Sequence, residues 1–267
     1  MIFVGCDLGS TTGKIVVLDE NLSVLGSSIV RSSHGPIKTF EKAVEKTAES
    51  MGISAEELLT KFKNEGRVVT TGYGRSNLPG YTDEVSEISC HAKGASHLCP
   101  SVRTIIDIGG QDAKAIRLDN KGGIKQFFMN DKCAAGTGRF IEVMARVLET
   151  TLDEMATLDE QAEDTAPISS TCTVFAESEV ISQLSKGTDR KSIARGVHMS
   201  VASRACGLAY RAGLEKDIVF TGGVAKNAGV VRAVSSVLKT DVIVAPNPQT
   251  TGALGAALFA YEAATKK

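Results

Sequence analysis

Neither sign of charge dominates this sequence: 30 lysines and arginines stand against 31 aspartates and glutamates, giving a net charge of −1 and a pI near 6.5. A nucleic-acid or anionic-membrane surface needs a basic excess that is missing here. No apolar run is long enough to span a bilayer and no signal peptide is expected, so the chain reads as cytoplasmic, with no membrane contact. The six cysteines (Cys6, Cys90, Cys99, Cys133, Cys172 and Cys206) include no CxxC pair. That argues against a self-contained ribbon or ferredoxin site, and a reducing compartment argues against a disulfide framework. Linkers, low-complexity tracts and long charge runs are absent. So is a Walker A loop: three residues rather than four separate Gly9 from Gly13, and Ile15 stands after Lys14 where that motif carries a hydroxyl.

What is present is 267 residues, 42% hydrophobic, enough to build two α/β domains with real cores. A short apolar strand at 1–6 runs into Asp7-Leu8-Gly9-Ser10-Thr11-Thr12-Gly13-Lys14 and a second strand at 15–18. Backbone N–H groups and hydroxyls of such a turn can cradle phosphate, which assigns Gly9, Ser10, Thr11, Thr12 and Lys14 to that task. Alone it would be an ordinary hairpin. It is repeated, however, with an offset of one hundred residues: Asp107, Gly109, Lys114 and Leu118-Asp119 match Asp7, Gly9, Lys14 and Leu18-Asp19. The duplication predicts two similar domains facing each other across a nucleotide cleft, at 1–95 (with the C-terminal segment 252–267 packing back on it) and 96–251. Asp7 and Asp107, one per hairpin, could hold a hydrated Mg²⁺. Gly109 and Gly110 would meet the phosphates, and Gln111 or Asp112 would orient the attacking water. A third turn, Thr221-Gly222-Gly223-Val224-Ala225-Lys226-Asn227, leaves a strand for a helix and suits the nucleoside end of a ligand.

Between these turns the periodicity predicts helices at 38–50, 87–98 and 189–212, and a strand at 242–245. Another helix follows Ser54, with Glu57 at its capping-box position. A strand from residue 68 ends at Tyr73-Gly74-Arg75, and a small-residue helix opens at 249–257. Cys90, His91, His97 and Cys99 do not converge on one point of a helix, so core and surface roles are favoured over zinc.

Two cysteine segments remain. Cys133 lies in a glycine-spaced loop just ahead of the helical pattern Phe140, Val143, Met144, Val147, Leu148, and Cys172 precedes a helix at 176–184. Both are expected at helix N-termini, where the dipole favours thiolates and a soft metal centre. The plainer reading is two buried, inert thiols, and spacing alone does not choose. Two thiolates per chain cannot close a four-cysteine site, whereas a symmetric dimer can.

The three turns resemble the phosphate-1, phosphate-2 and adenosine motifs of the acetate and sugar kinase, heat-shock-70 and actin superfamily. Five segments resemble one family within it more closely. They are 73–75 (Tyr-Gly-Arg), 87–91 (Glu-Ile-Ser-Cys-His), 105–112 (Ile-Ile-Asp-Ile-Gly-Gly-Gln-Asp), 129–140 (Met-Asn-Asp-Lys-Cys-Ala-Ala-Gly-Thr-Gly-Arg-Phe) and 169–180 (Ser-Ser-Thr-Cys-Thr-Val-Phe-Ala-Glu-Ser-Glu-Val). The family is the ATP-dependent activators of 2-hydroxyacyl-CoA dehydratases, of the BadF/BadG/BcrA/BcrD type, to which the benzoyl-CoA reductase ATPase subunits are related. The resemblance implies an α/β fold of two duplicated ribonuclease-H-like (actin/hexokinase-type) domains. It also implies a homodimer in an anaerobic setting, with ATP, Mg²⁺ and one [4Fe–4S] cluster held by Cys133 and Cys172 of both chains. An electron from ferredoxin or flavodoxin would pass to a partner iron–sulfur enzyme. Thr12-Gly13 departs from relatives that often show Ala-Ser. Two alternatives stay open. One is a reductase of another iron–sulfur enzyme, benzoyl-CoA reductase-like or a double-cubane protein; the other is a small-molecule kinase with inert cysteines.

Overall fold

The computed structural model describes residues 1–76, 78, 81–169 and 172–265. Two compact units emerge, Met1–Pro100 with Gln249–Lys267, and Ser101–Pro248.

In the first unit, β1 (Ile2–Leu8), β2 (Thr12–Leu18) and β3 (Val24–Arg31) form an antiparallel meander. Helices α1 (Pro36–Met51) and α2 (Ala55–Asn64) then cross over to β4 (Gly66–Thr71), which pairs parallel with β1, and the two-residue β5 (Asp83–Glu84) follows. The sheet order is β3-β2-β1-β4-β5. Parallel pairing needs a long crossover, which is what α1 and α2 supply. Pro36 starts α1 and left-handed Gly52 ends it; Ser54 caps α2 by accepting from Glu57 N. One sheet face buries Val4, Cys6, Leu8, Ile15 and Val17 against Phe40, Val44 and Phe62. The other buries Phe3, Val16, Leu18 and Val69 against the last helix of the chain, α9 (Thr251–Thr265), which also packs on α3 (Glu87–Leu98). Small residues make this contact possible. A Cβ on Gly5 would collide with the Ala253 carbonyl, one on Gly94 with the Thr251 carbonyl, and one on Gly255 with the Cys90 carbonyl.

The second unit repeats the plan. β6 (Thr104–Ile108), β7 (Ala113–Leu118) and β8 (Ile124–Asn130) form the meander. Four helices follow: α4 (Gly138–Val147), α5 (Leu152–Glu160), α6 (Thr173–Ser185) and the 23-residue α7 (Arg190–Ala212). β9 (Ile218–Thr221) pairs parallel with β6, and α8 (Ala228–Leu238) leads to β10 (Ile243–Val244), giving the order β10-β9-β6-β7-β8. The core sets Ile106, Ile108, Ala115 and Phe220 against Phe140, Met144, Val197, Val201 and Val234.

The repeat reaches into detail. Asp7 faces Lys14 in register as Asp107 faces Lys114, and the ladder slips between Val17 and Leu18 as between Arg117 and Leu118. Asp19 Oδ1 accepts from the N–H groups of Asn21 and Ser23, and Asp119 Oδ1 from those of Lys121 and Gly123, all at 2.8 Å. The third strands and α5 carry weak sequence signals. β3 and β8 are outer strands with mixed exposure, and α5 is fixed by a capping box between Thr151 and Glu154. No helix among the described residues is long and apolar enough to cross a membrane.

Candidate functional site: duplicated hairpin turns and two thiol segments

Each hairpin closes with the same bond, Gly9 N to Thr12 O at 3.0 Å and Gly109 N to Asp112 O at 2.9 Å. At the end of β1, Asp7 is 2% exposed, and its Oδ2 accepts from Lys14 Nζ at 3.0 Å. Its Oδ1 is buried with no hydrogen-bond partner among the described residues, and Thr11 Oγ1 is in the same position. Orphaned acceptors of this kind cost free energy unless a cation, a donor or water meets them, so both fit a hydrated Mg²⁺ with phosphate. Gly72, at φ 84°, passes so close that a Cβ would lie 2.6 Å from Asp7 Oδ1.

In the second hairpin the aspartate is fully engaged. Asp107 Oδ1 accepts from Thr221 Oγ1 at 2.7 Å, its Oδ2 lies 3.3 Å from Lys114 Nζ, and Lys114 also pairs with Asp112. Lys114, the counterpart of Lys14 in the repeat, is thereby tied to two carboxylates. Gly222, at φ 86°, runs against the Ile108 backbone and leaves Gly223 and Lys226 exposed. Asn227 is committed to structure: Oδ1 accepts from Val230 N at 3.1 Å, capping α8, and Nδ2 donates to Leu152 O at 3.1 Å.

The cysteine segments differ from expectation in one respect. Cys172 is the N-cap residue of α6, with extended backbone; Ser170 and Thr171 of its motif lie outside the described residues. Cys133 is not at a helix N-terminus, because α4 begins at Gly138 with Thr137 as N-cap. Side chains hold the intervening loop open. Asn130 Nδ2 donates to Cys133 O at 2.9 Å, and the buried Thr137 hydroxyl lies 2.7 Å from Ala134 O and 3.1 Å from Gly110 O. The first N–H groups of α4, which no helical carbonyl can satisfy, find the turn of the second hairpin instead. Gly138 N donates to Gly109 O at 2.9 Å and Arg139 N to Gly110 O at 2.8 Å. The turn and the thiol loop are therefore hydrogen-bonded neighbours. The two thiol segments also lead into helices, α4 and α6, that pack together.

Burial sorts the thiols. It pushes Cys90 and Cys206 up to about 12 and raises Cys6 as well, so these three are poor thiolates. Cys133 and Cys172 are partly exposed, as is Cys99 at the end of α3. Soft thiol donors at 133 and 172 fit an iron–sulfur cluster in kind but fall short of its four ligands in number. No group of three or more candidate ligands converges among the described residues.

The chain is 67% identical over its whole length, and over the whole of the other, to an activator of lactoyl-CoA dehydratase from Anaerotignum propionicum. Among solved structures it resembles an activator of 2-hydroxyisocaproyl-CoA dehydratase from Clostridium difficile with bound ADPNP (TM-score 0.91, 44% identity, 100% of this chain and 96% of that one). It likewise resembles component A of the Acidaminococcus fermentans (R)-2-hydroxyglutaryl-CoA dehydratase (TM-score 0.90, 46% identity, 100% of both). A ROK family glucokinase from Streptomyces griseus, 15% identical with a TM-score of 0.58 over 98% of this chain and 100% of that one, shares the fold alone. The fold is thus the ribonuclease-H-like, actin/hexokinase type, in two domains. The model of the BadF/BadG/BcrA/BcrD ATPase family matches residues 4–260, and the chain belongs to that family.

Proposed function

We propose that this chain is an ATP-hydrolysing electron donor that activates a 2-hydroxyacyl-CoA dehydratase. Gly9, Ser10, Thr11, Thr12 and Lys14 in the first hairpin and Gly109 and Gly110 in the second bind phosphates. Asp7 and Asp107 hold Mg²⁺, mainly through water, Gln111 or Asp112 orients the attacking water, and Gly222, Gly223 and Lys226 meet the nucleoside. Cys133 and Cys172 of two copies hold one [4Fe–4S] cluster, which when bound supplies a single low-potential electron. Ferredoxin or flavodoxin is the electron source, and the acceptor is the dehydratase.

One observation carries the reading: Gly109 and Gly110 accept from the N–H groups that open α4, directly behind the Cys133 loop. Hydrolysis by itself moves no electron uphill; a differential interaction between nucleotide states must reach the thiol ligands. A turn that shifts on γ-phosphate loss pulls on two hydrogen bonds and on the Thr137 hydroxyl, and through them on the loop. The likeness to dehydratase activators along the full chain supports the choice of acceptor. The test is anaerobic activation of a 2-hydroxyacyl-CoA dehydratase by the reduced dimer with ATP, ADP or an unhydrolysable analogue. Activation is expected with ATP alone, and equal activation in all three states would overturn the coupling.

A further inference from the structure

The duplicated hairpins use their lysines differently. Lys14 serves one carboxylate, Asp7, and its side chain is 14% exposed at the turn. Lys114 is 1% exposed and serves two, Asp107 and Asp112, because Asp112 stands where the first hairpin has Thr12. Its ammonium is buried and needs both anions to offset desolvation. Asp112 is consequently folded back. Its Oδ2 meets Lys114 and its Oδ1 lies over Gly109, where a Cβ would collide with it. Gln111, next to it in the same turn, is exposed and makes no side-chain hydrogen bond among the described residues.

We propose that Lys114 is a positioning residue that holds Asp112 back on the hairpin, so that Gln111 is the side chain of this turn that orients the attacking water. The proposal rests on the ATPase reading above. A neutral amide accepts a hydrogen bond from water with its carbonyl and donates one to a phosphoryl oxygen with its nitrogen, carrying no negative charge toward the γ-phosphate. The water oxygen forms a bond to γ-phosphorus as the bond to the bridging oxygen breaks. ADP leaves with that electron pair, the water proton ends on the released phosphate, and Gln111 gains and loses none.

Five variants in the intact, cluster-loaded dimer decide it, with kcat and KM for ATP as the readout. Gln111→Ala should lower kcat on the order of 100-fold, with KM changed less than about threefold. Asp112→Asn should cost kcat less than about tenfold and lower KM, since one negative charge leaves the turn. Lys114→Met releases the Asp112 carboxylate toward the phosphates and should raise KM about tenfold. Adding Asp112→Asn to Lys114→Met, or replacing Lys114 by Arg, should recover most of that loss. A lysine needed only for stability would change urea unfolding and leave the KM for ATP of the folded variant unmoved. The proposal is overturned if Asp112→Asn loses as much kcat as Gln111→Ala, or if the double variant is no better than Lys114→Met. Should Lys114→Met fail to fold, the first comparison decides by itself. A wild-type dimer that hydrolyses no ATP would instead overturn the reading beneath the proposal.

Discussion

Asp7 and Asp107 occupy equivalent places in two copies of one hairpin, yet only Asp7 keeps a buried oxygen without a partner among the described residues. A metal should therefore depend more heavily on Asp7. Asp7→Ala is expected to lose Mg²⁺-dependent nucleotide binding, read by calorimetry with and without the metal; retained binding would contradict the assignment. Asp159 makes a separate argument about stability. It is buried at the end of α5 and accepts from His198 Nδ1 at 3.0 Å and from Arg195 and Arg232 at 3.2 and 3.3 Å. Burial alone would raise its carboxyl, but the His198 and arginine interactions outweigh it and hold it below the usual carboxylate range. A carboxyl depressed on folding contributes stability above its unfolded value, roughly 3.9, and loses it as pH falls through the folded one. Asp159→Asn should cost on the order of 3 kcal/mol at pH 7 in urea unfolding, and the gap to wild type should narrow below about pH 4. A pH-independent gap would show that charge is not the cause.

Among the elements, what the sequence made legible was whatever carries local periodicity or a local turn. β1, β2, α1, α3, α7 and the opening of α9 announce themselves by apolar spacing, caps and glycines. β3 and β8 did not, because they are outer strands whose exposed Val24, Leu25, Ile29, Ile124, Phe127 and Met129 blur the alternation. The displaced start of α4 was illegible for a different reason: Asn130 and Thr137 hold the Cys133 loop through tertiary bonds that no local pattern encodes. The same bonds yield a prediction. Thr137→Val keeps the side-chain shape but removes the hydroxyl shared by Ala134 O and Gly110 O, at a cost of about 1 kcal/mol. ATP hydrolysis should persist while dehydratase activation per ATP consumed falls several-fold; an unchanged ratio would exclude this route. At the α3–α9 contact, Gly255→Leu drives a side chain into the Cys90 carbonyl and should cost about 3 kcal/mol or more in urea unfolding.

At the scale of the whole molecule, the duplication was legible because a hairpin is a local object, and an offset of one hundred residues aligns Asp7 with Asp107 and Lys14 with Lys114 down to their strand register. The division of labour between the two lysines was not, since it depends on which carboxylates surround each in space. The thiols follow the same rule. Sequence singled out Cys133 and Cys172, and burial separates them from Cys6, Cys90 and Cys206. On the proposed reading, two such donors per chain would make the metal centre a property of a pair of chains. The most direct measurement is iron and acid-labile sulfide per dimer after anaerobic purification, for the wild type and for Cys133→Ser and Cys172→Ser. About four irons and four sulfides per wild-type dimer, both lost in either variant while ATP still binds, is the predicted result. A full iron complement in Cys133→Ser or in Cys172→Ser would contradict it.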